Sequence, residues 1–303
     1  MSFTVAALYH FVEQPQGNLE EKKHSLLDIG RAHNIKGTLL IAPEGVNGTI
    51  SGQEKAIQKM LDAIQSCLSI EKINWKRASY HENPFYRFKV KIKREIVTLG
   101  QNSKQVASRT GQYVQPKDWN ALIDDPDVMV IDTRNHYETA IGRFPGALDP
   151  DTENFRDFPD FVQRELLQDK KKKIAMYCTG GIRCEKASNY LIDNGFEQVY
   201  QLEGGILQYL EDQPESENRW QGDCFVFDNR VSVDKTLSKG QYDQCFACRS
   251  PITCSDKQHP HYQAGISCHH CFDNTTDRQK ERFKQRQAQQ TLAKKRGRLH
   301  IGA

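Results

Sequence analysis

The chain has 303 residues, which is long enough for two or more domains, each with a core of its own. Its 37% hydrophobic and 27% charged residues exclude an intrinsically disordered chain, and no apolar run reaches the length of a membrane span. The formal net charge of +3 conceals an uneven distribution, because basic residues concentrate in two segments.

The first hundred residues predict a β-α-β-β-α-β order. Residues 1–100 contain a strand pattern in "TVAALYHFV", a helical pattern in "LEEKKHSLLDIGRAHN" and two strands around a Pro/Gly turn in "KGTLLIAPEGVNGTISG". An amphipathic helix, "EKAIQKMLDAIQSCL", and a half-buried antiparallel strand, "YRFKVKIKREIV", follow. Two helices on one face of an antiparallel sheet predict a ferredoxin-like α+β domain. The amino-terminal segment "MSFTVAALYHFVEQ" lacks the features of a signal peptide, so we expect a cytoplasmic protein without membrane contact.

Basic residues alternate with aromatic ones in segment 72–94, "KINWKRASYHENPFYRFKVKIKR". Cations that neutralise phosphates and rings that stack on bases are typical of nucleic-acid binding. The alternative is a solvated strand face. Our candidates for nucleic-acid contact are the cations of this segment, namely Lys76, Arg77, Lys89, Lys91 and Arg94.

The middle of the chain predicts a parallel α/β domain. Residues 101–117 are polar and are interpreted as a linker, and over 118–213 short apolar strands such as "DVMVIDTR" and "KKIAMYC" alternate with helices. This order predicts a parallel sheet with helices on both faces. Ligands of such sheets bind at the carboxyl ends of the strands, where Cys178 lies.

The segment "YCTGGIRC" predicts an anion-binding loop around Cys178. Gly180 and Gly181 permit a tight turn with converging backbone N–H groups, and the helix that follows points its positive dipole end at the same place. Arg183 adds a cation, so the pKa of the Cys178 thiol is expected below its ordinary value of about 8.5. The loop includes Thr179 and Ile182. The alternative is an inert buried cysteine. Cys184 either packs or resolves a persulfide on Cys178 into a disulfide.

Six of the nine cysteines fall in residues 214–276, the Cys-rich region, and five of them lie from Cys245 to Cys271. In a cytosolic protein such cysteines indicate metal ligands or catalysis more than disulfides. Two C-x-x-C pairs about twenty residues apart fit a structural zinc site made by Cys245, Cys248, Cys268 and Cys271. Disulfides or free thiols remain alternatives. Residues 277–303 form a basic tail, interpreted as flexible, with nine Lys or Arg against two acids in 277–300.

Several spaced motifs of residues 118–209 resemble a rhodanese domain. The motif "IDTRNHYETAIGRFPGA" matches that family's early signature with Asp132, Arg134 and Glu138, although Arg143 replaces its usual histidine. The motif "YCTGGIRC" resembles its active-site loop and "LEGGI" its closing turn. The resemblance implies that Cys178 carries a persulfide. The six positions of 178–183 match the sulfur-handling members, whereas the related phosphatases have one residue more.

The order of the whole chain is similar to that of the bacterial oxygen-dependent tRNA uridine hydroxylases. The features that carry this resemblance are the front domain with "GTLLIAPEGVNGTISG", the loop "CTGGIRCEKA" and the two C-x-x-C pairs. It implies hydroxylation of the wobble uridine of tRNA to 5-hydroxyuridine, with O2 as co-substrate and Cys178 as the catalytic cysteine. The sequence shows no dinucleotide fingerprint or iron facial triad that would identify a redox cofactor. Two alternatives remain, a sulfurtransferase that takes sulfur from a donor and a non-catalytic interaction protein.

Overall fold

The computed structural model describes residues 2–14, 18–101, 106 and 109–296. Its amino-terminal domain is a five-stranded sheet in the order β4-β1-β3-β2-β5 with two helices on one face. The elements in chain order are β1 (Phe3–Phe11), α1 (Leu19–Ala32), β2 (Lys36–Ala42), β3 (Gly45–Gly52), α2 (Glu54–Leu68), β4 (Asn74–Tyr80) and β5 (Phe88–Ile92). The first four strands make the predicted ferredoxin-like sheet.

The prediction for the last strand of this domain was wrong. The fourth antiparallel strand is β4, and the alternating segment predicted in its place forms β5, which runs parallel to β2 at the sheet edge. The alternation in β5 is real, because Val90 is buried against the helices while Lys89 and Lys91 point the other way. Alternation reports which side chains are buried and carries no information about strand direction.

The central domain has a four-stranded parallel sheet in the order β6-β10-β9-β7. Its elements are β6 (Gln112–Val114), α3 (Pro116–Ile123), β7 (Val128–Asp132), α4 (His136–Thr139), β8 (Gly142–Arg143), α5 (Phe158–Phe161), β9 (Lys173–Tyr177), α6 (Ile182–Asp193), β10 (Val199–Leu202) and α7 (Gly205–Asp212). A 3-10 turn and a π-helical turn flank α5. Alternate residues of β9 pack into two cores, Ile174 and Met176 on the α6 face and Ala175 and Tyr177 on the α7 face.

The boundaries predicted for this domain need two corrections. The supposed linker 101–117 ends inside the domain, because β6 pairs with β10 and α3 begins at Pro116. Three residues are too few to show a strand period in the sequence. At the other end, Trp220 and Cys224 pack in the α7-face core, so the chain continues to belong to this domain beyond residue 213.

The Cys-rich region contains two 3-10 turns, Glu215–Glu217 and Asp256–Gln258, and several short pairs of strands. The pairs are formed by β11 (Gln221–Gly222), which pairs with β8, by β12 (Cys224–Phe225) with β13 (Ser232–Val233), and by β14 (Asp243–Gln244) with β15 (Pro251–Ile252). A separate small core gathers Cys245, Ile252, Cys268 and Cys271. No helix in the described part of the chain has the length and apolarity needed to cross a bilayer.

The interpretation of 277–303 as flexible was wrong for most of this segment, because α8 spans Asp277–Lys295. Its start is capped reciprocally, with the Gln279 N–H donating to Thr276 Oγ1 at 3.3 Å and the Thr276 N–H to Gln279 Oε1 at 2.9 Å. Arg286 ties the helix to the Cys-rich region by donating to the carbonyls of Phe246 and Gly265. The helix has no apolar stripe, which is why no periodicity indicated it.

Candidate functional site

Cys178 follows β9 directly and begins the turn into α6. Its side chain is fully buried, and the backbone N–H of Gly181 donates to Sγ at 3.1 Å. Gly181 has φ +102°, a conformation that L side chains rarely adopt, so a glycine is needed where this N–H turns towards the sulfur. The turn between β9 and α6 therefore directs a backbone N–H at this thiol.

The environment of Cys178 favours the thiolate. Burial by itself raises the pKa of this thiol, but hydrogen bonds from the Cys184 thiol and from the N–H groups of Cys184 and Arg183, together with the charge of Arg183, outweigh it. The net effect lowers the pKa of Cys178 well below its ordinary value. This shift favours the thiolate over the thiol at neutral pH.

Cys184 lies on the first turn of α6 and is also fully buried. Burial and the neighbouring Cys178 raise the pKa of Cys184, so this thiol stays protonated and donates to the thiolate. Thr133 Oγ1 lies 3.6 Å from the Cys184 sulfur on its other side. Cys184 packs in the α6-face core, in agreement with the first of its two predicted roles. Its hydrogen bond to Cys178 is a further role that the sequence analysis did not include.

Arg183 is held by a carboxylate. Its guanidinium forms a bidentate pair with Glu138, with Nη1–Oε2 at 2.6 Å and Nη2–Oε1 at 2.9 Å, and both side chains are buried. Burial raises the pKa of Glu138, but the charge and hydrogen bonds of Arg183, the charge of Arg134 and the Asn135 N–H together outweigh it and lower that pKa. Thr179 Oγ1 contacts the same pair. The pair with Glu138 holds the Arg183 guanidinium in place and fixes the loop to α4.

Asp132 and Arg134 hold the backbone in place near the site. Arg134 is fully buried, pairs with Asp132 at 2.6 Å and donates to the carbonyl of Gly142 at 2.6 Å. These contacts connect the end of β7 to β8. The two residues therefore shape the segment that presents Glu138, and no described hydrogen bond joins them to Cys178.

The motif "LEGGI" holds the Cys178 loop through backbone hydrogen bonds. The first N–H groups of α7 donate to loop carbonyls, Ile206 to Cys178 at 2.9 Å and Leu207 to Thr179 at 3.1 Å. A Cβ on Gly205 would lie 2.5 Å from the Cys178 carbonyl oxygen, so only glycine allows this approach. Because α7 uses its free N–H groups on the carbonyls, the loop N–H groups are left to face the sulfur.

Cys178 opens into a cleft of about 1050 Å³ between the two domains. One wall is the Cys178 loop, and the other is the face of the amino-terminal sheet that α1 and α2 leave uncovered. Phe227, in the turn between β12 and β13, stands at the edge with 59% of its surface exposed. The cleft is far larger than an anion such as thiosulfate requires.

Tyr9, Glu185 and Tyr113 join the domains beside the loop, and sequence reasoning missed all three. Glu185 accepts from Tyr9 at 3.1 Å and from Tyr113 at 2.8 and 2.9 Å. Burial raises the pKa of Glu185 despite these hydrogen bonds. A Cβ on Gly181 would lie 2.8 Å from the Tyr9 hydroxyl, so Tyr9 touches the catalytic loop. Tyr9 and Glu185 are 176 positions apart in the sequence, so no local pattern could indicate this contact.

The structure separates the five cations predicted to bind tRNA. Lys76 lines the cleft and donates to Gln208, while Arg77, next in β4, pairs with Glu54. Lys89 and Lys91 lie on β5, and Arg94 is exposed beyond it. Lys76 therefore lines the same cleft as Tyr9, whereas Arg77 does not line it.

The four cysteines of the two C-x-x-C pairs come together as predicted. Their sulfurs all lie within 4.8 Å of one another, with 3.7 Å between Cys248 and Cys268 and 3.9 Å between Cys268 and Cys271. A tetrahedral zinc with Zn–S bonds of about 2.3 Å sets its sulfurs roughly 3.8 Å apart. The cluster is therefore compact enough to hold a tetrahedral metal ion.

Two family models match the chain. A UPF0176 acylphosphatase-like domain matches residues 3–96, and a rhodanese-like domain matches residues 115–212. Together they support a rhodanese-type enzyme with a catalytic cysteine.

Similar solved structures are rhodanese-like. One is the rhodanese-like domain of an Anabaena protein, with 22% identity over 38% of this chain and 80% of that one at a TM-score of 0.31. A second is a Staphylococcus aureus rhodanese-like domain protein, with 26% identity over 32% and 90% at a TM-score of 0.28. A third is a rhodanese-related protein from Thermoplasma volcanium, with 21% identity over 34% and 95% at a TM-score of 0.28.

The Arg183–Glu138 pair predicts a large stability effect. The substitution Glu138→Gln leaves the buried guanidinium without its counter-charge, and we expect a loss of about 3 kcal/mol in the free energy of unfolding. Urea denaturation followed by tryptophan fluorescence measures it, because Trp119 and Trp220 are buried in this domain. The control is Glu165→Gln, which breaks the exposed Arg164–Glu165 pair and should cost less than about 1 kcal/mol. Equal effects of the two substitutions would contradict the account.

Proposed function

Because the chain joins a UPF0176 acylphosphatase-like domain to a rhodanese-like domain, the architecture of the tRNA uridine hydroxylase family, we propose that it hydroxylates the wobble uridine of tRNA with O2. The observation that carries the proposal is the position of Cys178. An ionised thiolate lies at the floor of a cleft walled by both domains and wide enough for a nucleotide. A sulfur-transfer enzyme that serves only a small anion has no need of the second wall.

Nucleophilic addition is the chemistry that the thiolate offers. In the proposed step Cys178 Sγ forms a bond to C6 of the uracil ring, and the displaced electron pair makes C5 electron-rich. C5 then bonds to O2 and, with one proton, becomes a hydroperoxide. An external two-electron reductant and two protons cleave its O–O bond to leave a C5 hydroxyl and water. Loss of the C5 proton finally expels the thiolate, so the cysteine is regenerated.

Sulfur transfer is the second candidate, and the short loop favours it. Residues 178–183 form the six-position loop of the sulfur-handling rhodaneses, and the Gly181 N–H already points at the sulfur. In this reaction a donor passes a sulfur atom to the Cys178 thiolate, and the persulfide passes it on to a nucleophilic acceptor. The same residue serves both reactions, so only the product distinguishes them.

The tRNA nucleosides of cells with the wild-type chain and with Cys178→Ala separate the candidates by their product. We expect cells that carry only this variant to lose 5-hydroxyuridine from their tRNA by at least about a hundredfold, because removal of a covalent nucleophile abolishes the step. Mass spectrometry of the tRNA nucleosides measures the change as one added oxygen. The control is Cys254→Ala, at an exposed cysteine outside the four-sulfur cluster. Full hydroxylation by Cys178→Ala would refute the mechanism, and a Cys178-dependent added sulfur would establish the second candidate.

We also propose that Cys245, Cys248, Cys268 and Cys271 bind one structural zinc ion. Their sulfur separations support this, as does the sparse core around them. A bound zinc would supply folding free energy to hairpins that bury little else, on the order of 10 kcal/mol. With four thiolates and no open position it would take no part in the chemistry at Cys178.

Zinc content tests the second proposal. Purified protein should contain one zinc per chain by elemental analysis, Cys268→Ser should contain none, and Cys254→Ser should keep it. Chelation should also expose residues 245–272 to proteolysis, since the region loses its main support. Metal-free protein with intact resistance to proteases would contradict the assignment.

A further inference from the structure

The amino-terminal sheet has one face that no helix covers. Leu8, Val46 and Leu39 alternate inward and pack beneath α1 and α2. Their neighbours Tyr9, Asn47 and Leu40 point to the opposite face and line the cleft. This face, defined by the outward positions of β1, β2, β3, β4 and β5, is called the open face below. It carries polar and aromatic side chains, which suit contact with a polar ligand better than a second apolar layer.

Strand register places cations at both edges of the open face. Lys76 of β4 is paired with Ala7, and on the far side Lys89 is paired with Thr38 and Lys91 with Leu40. Directly paired residues project to the same side of a sheet, so these three lysines share the face with Tyr9. The lysines of β5 lie about 14 Å from β1, which is three strand spacings.

The cations on β5 and immediately before it have no acidic partner among the described residues. Among the ion pairs of the described residues, none includes Arg87, Lys89 or Lys91. Burial lowers the pKa of Lys89, and so do the charges of Arg87, Lys91 and Arg249. Like charges held together raise the free energy of the fold unless an anion neutralises them. The edge of the open face is therefore complementary to a polyanion.

The aromatic side chains lie between these cations and the nucleophile. The Tyr9 and Phe11 rings are neighbours on β1, with centroids 6.2 Å apart, and both line the cleft. Phe227 stands on the opposite side, and Tyr9 touches the Gly181 turn of the catalytic loop. Asn47, which is paired with Tyr9 on the neighbouring strand β3, is held by its amide, which donates to the Ile96 carbonyl at 2.8 Å. Across the open face, the cations are thus followed by the aromatic rings and then by Cys178, so an extended ligand contacts them in that order.

We propose that the open face is the binding platform for a single-stranded RNA loop, which it presents to Cys178. The proposal rests on the function proposed above and deepens it by naming the surface and the form of the substrate. Phosphates lie on Lys89 and Lys91, and an unstacked base reaches the cleft beside Tyr9 and Phe227. Aromatic side chains on an exposed sheet stack such bases, whereas duplex RNA keeps its bases inside. The cleft volume of about 1050 Å³ lies above the range of about 300–1000 Å³ for small-molecule sites.

Charge reversal on the two sides of the sheet tests the platform. The variant Lys89→Glu/Lys91→Glu alters the open face, and Lys55→Glu/Lys59→Glu makes the same change on exposed positions of α2, on the covered face. The probe is a fluorescent stem-loop RNA with an unpaired uridine, titrated at several salt concentrations in a Cys178→Ala background. We expect the first pair to weaken binding at least about tenfold and to reduce the salt slope by roughly 1.4–1.8, and the second pair to change neither. Equal losses in the two pairs, or no loss in the first, would overturn the proposal.

Ring removal tests the base contact in the same assay. Phe227→Ala should weaken binding of the stem-loop by about tenfold and leave binding of a duplex without a loop unchanged. Phe246→Ala, at an aromatic residue of similar exposure in the Cys-rich region, is the matched control and should have no effect. Equal effects of the two substitutions would count against the cleft as the base site.

The binding assay needs no turnover, so the two proposals can fail separately. If the wild-type chain adds oxygen to uridine but the open-face variants bind RNA normally, the platform is wrong and the function stands. If RNA binds with the expected pattern and no tRNA uridine changes, the platform stands and the hydroxylase assignment is wrong.

Discussion

The ionised sulfur of Cys178 is the interaction on which the rest of the site depends. A buried thiol would ordinarily be neutral, and here N–H groups of the turn, the Cys184 thiol and the nearby guanidinium reverse that preference. Each of these donors is held by something else. The Arg183–Glu138 pair fixes the start of α6. The N–H groups of α7 donate to the loop carbonyls and so hold the orientation of the loop. The charge of one atom is thus maintained by contacts from three helices.

The amino-terminal domain completes the site. Its Tyr9 hydroxyl meets Glu185 and the Gly181 turn, and the buried Lys186 on α6 pairs with Glu44 and Glu95 of that domain at 2.8 and 2.6 Å. Because α6 begins at the nucleophile and carries both Glu185 and Lys186, the same helix positions the loop and the second wall of the cleft. With the sheet facing it, Cys178 lies in a cleft lined by both domains.

What the sequence could predict follows from how local each signal is. The Cys178 loop, the parallel sheet and the two C-x-x-C pairs all lie in short contiguous segments, and the structure contains each of them. The direction of β5 and the three-residue β6 depend on pairing with distant strands, so alternation alone was insufficient. Helix α8 has no apolar face to give a period. The Tyr9–Glu185 contact joins residues 176 positions apart. The partner of Arg183 is Glu138, and the two meet only because the fold brings α4 beside the loop.

The most direct test of this account is the ionisation of Cys178 itself. Alkylation by iodoacetamide, followed residue by residue with peptide mass spectrometry, reports the thiolate fraction, since only the thiolate reacts. With the pKa of Cys178 lowered to about 5, its alkylation rate should be constant above neutral pH and should fall only as the pH drops through that value. In Cys184→Ala, which lacks the thiol donor, the midpoint should move to higher pH. A wild-type rate that still rises through pH 8.5, as for an unperturbed thiol of pKa about 8.5, would contradict the central claim.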